Sequence, residues 1–156
     1  MANGFPLQEV GRAGLSLLHF CVERLQYEET HDSPEELEEP TLSLSRPVVH
    51  EAELEGEPTY MVTLRIRTAQ GNVRTFDLTI SGVFRLQSDD DGNKGTPMML
   101  VHNGSVMLLG AARGIIESVT GLSRFGRLRV PSANLVKVLK SDPPSESGTG
   151  NSEQSP

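Results

Sequence analysis

The chain has no tryptophan and only one cysteine, Cys21, in 156 residues. A single thiol excludes an internal disulfide and points to a reducing compartment. The alternation around Cys21 predicts a packed thiol rather than a nucleophile. Aromatics make up 4% of the chain, and the basic residues of its last third have no aromatic among them beyond Phe125, so nucleic acid is not an expected partner. No uninterrupted apolar run approaches the ~20 residues that span a bilayer, and no apolar leader opens the chain. Membrane insertion is therefore not expected, and the chain reads as cytoplasmic. His19, His31, His50 and His102 are scattered, with no two at metal-ligand spacing on one predicted element. No strand–turn–helix nucleophile motif occurs. The glycines near Gly110 lie inside an apolar helical pattern, not in a loop before one, so no phosphate cradle is indicated. The expectation is no enzyme, no metal and no cofactor. Asp89, Asp91 and Asn93 mimic part of a calcium loop, but Lys94 stands where glycine is required and no acid closes the loop.

What is present is unevenly charged. Net charge is −7, yet Glu28 to Glu57 holds eleven acidic residues against Arg46, whereas Ser105 to Lys140 holds six basic residues against Glu117. Solvated faces of different elements explain most such segregation; an acidic sheet surface that docks a basic partner is the sharper reading. Residues 141–156 contain no large apolar side chain and are expected to be disordered, and 1–14 to be a flexible N-terminus. Residues 15–140 suffice for one modest core.

Within that stretch, Leu18, Phe20 and Val22 alternate on one parity and Leu25 and Tyr27 on the other, which predicts a first strand with a bulge near Glu23-Arg24. Leu42 and Leu44 begin a second strand, interrupted at Pro47 and continued as an edge by Val48, Val49 and Ala52. Tyr60, Val62, Leu64 and Ile66, then Gln70-Gly71-Asn72, then Phe76, Leu78 and Ile80 read as a hairpin. The pattern is thus four antiparallel strands. Leu108, Ala112, Ile115, Val119 and Leu122 predict a helix over roughly Gly104 to Leu122, capped by Asn103. Gly110 and Gly114 sit one turn apart inside it. Either they admit another helix closely or they relieve crowding against the sheet. A short last helix, capped by Ser132, carries Leu135, Val136 and Leu139 on its apolar side.

Several of these segments, in this order, resemble the SecB family of protein-export chaperones. Leu25-Gln26-Tyr27-Glu28 is similar to the apolar–x–aromatic–Glu end of the family's first strand. Gly82-Val83-Phe84 resembles its Gly-Ile-Phe, Ala112-Arg113 with Ile116 its Ala-Arg and following isoleucine, and Phe125, Leu128, Asn134 and Leu135 its later Phe, Leu and Asn-Phe positions. The departures are Gly110-Ala111 in place of Pro-Tyr, Pro131 one residue early, and a Ser/Gly/Pro tail. The resemblance implies an α+β fold, a four-stranded antiparallel sheet with two helices packed on one face, assembled as a homotetrameric dimer of dimers with Gly110 and Gly114 at the oligomer interface. It implies ATP-independent holding of unfolded polypeptides for export. Leu42, Leu44, Val49, Phe125, Leu135 and Leu139 would form the client-binding groove. Glu28 and Asp77 would contact the translocation motor SecA, although Arg24 reverses a third charge there. Two other roles fit the same residues: a chaperone dedicated to one partner such as an antitoxin, and an interaction subunit that reuses the fold without binding unfolded chains.

Overall fold

A computed structural model describes residues 14–87 and 96–140. The expected flexible N-terminus, the calcium-like loop and the expected disordered tail lie outside the described residues, apart from Gly14. Seven elements follow in order: β1 (Leu15–Glu29), β2 (Thr41–Leu44), β3 (Val48–Leu54), β4 (Glu57–Gln70), β5 (Arg74–Leu86), α1 (Pro97–Thr120) and α2 (Leu135–Lys140). The strands form one antiparallel sheet in the order β1-β5-β4-β2, with β3 also paired to β4.

The sheet has five strands, not four. The expected second strand is split into β2 and β3, both on β4, and the reason is local. Leu44 lies opposite Ile66 and Val48 opposite Thr63, so three residues bridge a gap that two span on β4. Pro47 has no N–H to give the ladder, while Ser45 bonds Arg65 through both backbone and side chain. This extra residue turns Val49 to the same face as Leu42 and Leu44 despite its opposite parity.

β1 behaves similarly. Register shifts fall between Val22 and Arg24 and between Leu17 and His19. The first is the expected bulge; the second, at Leu18, was not foreseen because leucine there matched the alternation. Together they return Leu15, Phe20, Val22, Leu25 and Tyr27 to the core side of the sheet. Cys21, opposite Ser81, consequently faces the other way and is exposed rather than packed.

The core lies between one sheet face and α1. Val62, Leu64, Ile66, Phe76, Leu78, Ile80 and Phe84 are buried from the sheet; Leu100, Leu108, Ala112 and Ile116 are buried from the helix. α1 starts seven residues before the expected Gly104. Thr96 caps it by accepting from the Met99 amide at 3.2 Å, with Pro97 at the first helical position. Asn103, the expected cap, is inside the helix. α1 is long and apolar enough by composition to cross a membrane, but these four side chains are committed to the sheet. At its C-terminal end the Thr120 hydroxyl accepts from the Leu128 amide at 2.8 Å, seating the buried Leu128.

Gly82 marks where α1 crosses β5 closely. A Cβ there would lie 2.8 Å from Leu108 Cδ2, 2.9 Å from a Phe84 ring carbon and 3.0 Å from Leu17 Cδ1. Gly82→Val is accordingly expected to destabilise the fold by about 1–3 kcal/mol through overpacking, read from urea unfolding. An equal loss from Gly110→Val, where nothing lies within 4 Å, would refute this account once the ~1 kcal/mol glycine propensity term is allowed for.

Candidate functional site

The irregular edge β2 and the short α2 approach each other on the core side of the sheet. Leu42 is paired across from Thr68 and Leu44 from Ile66, both fully buried positions, so strand alternation points the two leucines inward. Nothing covers them completely, and both remain half-buried. The return segment before α2 is pinned by the Arg113 guanidinium, which donates to the Pro131 carbonyl at 2.9 Å. Asn134, not Ser132, caps α2, its side chain accepting from the Lys137 amide at 3.2 Å. Ser132 stands two residues before that cap and three before the first helical residue.

Between these elements lies a cavity of about 410 Å³. Leu42 and Leu44 line one side, and Ala133, Asn134, Lys137 and Val138 the other, with Ser132. Two open clefts continue it around α2, one along His102, Val106 and Val136, the other past Val136 to Lys137 and Lys140. The chemistry is that of an apolar trough with amide, hydroxyl and ammonium groups at its rim. Among the described residues, no group of three or more His, Cys, Asp or Glu is placed to hold a metal.

The residues expected to form a groove are only partly gathered here. Leu42 and Leu44 line the cavity. Val49 packs against the core beside them without lining it, Leu135 belongs to the core at 7% exposure but also lines the adjoining cleft along His102 and Val106, and Leu139 is half-buried. Phe125 lies apart, beside two cations: the Arg124 guanidinium is 4.5 Å and that of Arg74 6.0 Å from its ring centroid. Arg74, itself 3% exposed, donates to Gln70 at 2.9 Å and to the Gly126 carbonyl, which holds that loop in place. Ala133 and Val138 were missed, since a lone alanine and a valine in a six-residue helix carry no periodic signal.

Gly110 and Gly114 face outward, with open space where a Cβ would stand. They do not relieve crowding against the sheet. Beside them Val106 and Met107 are exposed, and Leu122 follows the helix at 97% exposure.

On the opposite face of the sheet, Arg65 grips Asp77 with two parallel bonds, Nε to Oδ1 at 3.0 Å and Nη2 to Oδ2 at 2.6 Å. The Arg65 hydrogen bond, with smaller contributions from Arg65, Arg24 and Arg67 charge, holds the Asp77 carboxyl below the usual carboxylate range. Glu28 is exposed and accepts from Gln26 at 2.6 Å. At the end of β1, Glu29 is also held low, by hydrogen bonds from Ser123 and Tyr27. A depressed carboxyl stabilises the fold above its unfolded pKa, and that stabilisation disappears as pH falls through the folded value. The Tm gap between the wild type and Asp77→Asn is therefore expected to be full at pH 7 and to close below about pH 4. A gap that stays constant to pH 3 would show that Asp77 contributes by packing instead.

No protein-family model matches the chain, and no curated protein matches it significantly. Solved structures do. The Mycobacterium tuberculosis SecB-like chaperone Rv1957, in complex with a ChAD peptide from the Rv1956 HigA1 antitoxin, superposes with a TM-score of 0.58 at 17% identity, covering 77% of this chain and 91% of that one. A Streptococcus agalactiae protein of unknown function superposes with a TM-score of 0.53 at 11% identity, covering 80% and 100%. The chain has a SecB-like fold.

Proposed function

We propose that this SecB-like chain is an ATP-independent chaperone that holds non-native polypeptide and has no catalytic role. The observation that carries the reading is the cavity of about 410 Å³ between β2 and α2, floored by Leu42 and Leu44 and open to solvent. An apolar trough beside an edge strand suits an extended chain, whose side chains fill pockets while its backbone meets the strand edge. The fold shared with a chaperone solved around an antitoxin peptide supports polypeptide as the ligand class. It also favours a second reading, in which one dedicated partner is held rather than many clients for export.

The absence of tryptophan provides the test. A slow-folding, tryptophan-containing protein is diluted from denaturant into this chaperone without ATP, and its fluorescence and refolding yield are followed. Saturable binding of the non-native form, with delayed refolding, is the expected result. Binding to none of several unrelated clients would refute the general reading and leave a single dedicated partner or a purely structural role.

Assembly forms part of the proposal. β1 is a 15-residue edge strand with Phe20, Val22 and Leu25 about 40% exposed on the core side, and long apolar edges demand cover. The outer face of α1, with Gly110 and Gly114, is a second and separate self-surface. Two isologous contacts per chain are what a dimer of dimers requires. Gly110→Leu with Gly114→Leu is expected to halve the assembly mass in light scattering. An unchanged mass would remove α1 from the interface.

A further inference from the structure

The solvent face of the sheet carries a charge arrangement that the groove does not use. Antiparallel register places Arg65, Thr79 and Arg24 in one row across β4, β5 and β1, and Arg67, Asp77 and Gln26 in the next. One carboxylate thus has an arginine beside it and arginines diagonally on either side. Arg65 consumes that carboxylate through its two bonds. Arg24 donates to the Gln26 side-chain oxygen Oε1 at 2.9 Å, and the Gln26 side-chain Nε2 in turn donates to Glu28. Of the other nearby acids, Glu28 lines the same cleft and Glu23 accepts from the Ser81 hydroxyl. Arg24 and Arg67 are exposed, and neither forms an ion pair among the described residues. A cleft of about 230 Å³ opens among these side chains, lined also by Thr75.

We infer that this face docks an acidic segment of a partner polypeptide, with a carboxylate seated in the cleft between Arg24 and Arg67. The chain as a whole is at −7, whereas the cleft lining sets three arginines against Glu28 and Asp77, an excess of one positive charge that locally reverses the field. Guanidinium forks match carboxylate geometry and add direction to the attraction. The cluster spans three strands, roughly 10 Å across, which suits one or two carboxylates. It does not suit a phosphate backbone, which the net charge of −7 on the chain would repel. A basic site on a partner would be turned away. The inference stands apart from the groove, which lies on the other face of the sheet.

The probe is a short fluorescent peptide of glutamate and glycine, which has no apolar side chain for the groove, titrated into the full chain by anisotropy at low salt. Saturable binding that weakens with added salt is expected. Arg24→Gln with Arg67→Gln should weaken it tenfold or more, while Lys137→Gln with Lys140→Gln, which removes the same charge elsewhere, should leave it within twofold. In the wild-type chain, peptide addition should shift the amide resonances of Arg24, Gln26 and Thr79, a readout that needs no variant to fold. No binding, equal losses from the two double variants, or tighter binding of an oligouridylate of equal length would each overturn the assignment.

Discussion

Replacing Phe84 with alanine is expected to lower the unfolding free energy by about 3–5 kcal/mol, a large share for a domain whose total lies near 5–15 kcal/mol. Phe84 is fully buried and sits where α1 crosses the sheet. Its ring carbons lie 3.4–3.5 Å from where a Cβ on Gly104 would stand, and 2.9 Å from that on Gly82. Two glycines leave the room the ring fills, so neighbouring side chains cannot close over the hole and the cavity term applies in full. Urea denaturation should show a lower midpoint at unchanged slope. Refilling distinguishes packing from a general loss of structure. Gly104→Leu alone should destabilise by overpacking, but in the Phe84→Ala background it should cost less or restore stability. Additive effects of the two changes would mean that the ring and the glycine do not share a space.

The second large effect concerns the groove. Leu42→Ser with Leu44→Ser removes the apolar floor of the cavity while keeping residues compatible with a strand. Each leucine buried by a client is worth about 1.5 kcal/mol at the low end for such side chains, so the pair should weaken client binding by about a hundredfold. The control is Leu54→Ser on β3, a residue 44% exposed that does not line the cavity; it should change binding little. Both measurements use the refolding assay with a tryptophan-containing client. If the double variant retains clients as well as the wild type while its melting point falls, Leu42 and Leu44 are core residues and the trough is not the site.

Much of the architecture was legible because it rests on short-range rules. The β4–β5 hairpin follows from alternation on both sides of Gln70-Gly71-Asn72, and Gly71 indeed takes φ +52°. The bulge at Glu23 was visible as a change of parity. The bidentate Arg65–Asp77 pair was within reach too, since Gln70 opposite Arg74 fixes every later pair of that hairpin. The start of α1 was not seen because the apolar stripe was read from Gly104, and the Thr96-Pro97 cap signal lay ahead of it. Exposure of Cys21 escaped notice because the strand's alternation does not say which of its faces meets the core.

By itself the sequence determined the antiparallel hairpin, the apolar helix, the β1 bulge and the glycines on α1, all set by spacing between near neighbours. It also excluded an internal disulfide, since a bond needs two thiols. Only the tertiary structure decided which apolar residues form core and which line an open trough. Leu42 and Leu64 are indistinguishable as letters; one borders an open cavity on the β2 edge, and the other, on the neighbouring β4, is 1% exposed in the core. It likewise decided that, among the described residues, nothing lies within 4 Å of where a Cβ on Gly110 or Gly114 would stand, and that an acidic protein gathers arginines around Asp77. Burial and local field depend on residues distant in sequence being brought within a few ångströms of one another, and spacing along the chain does not carry that information.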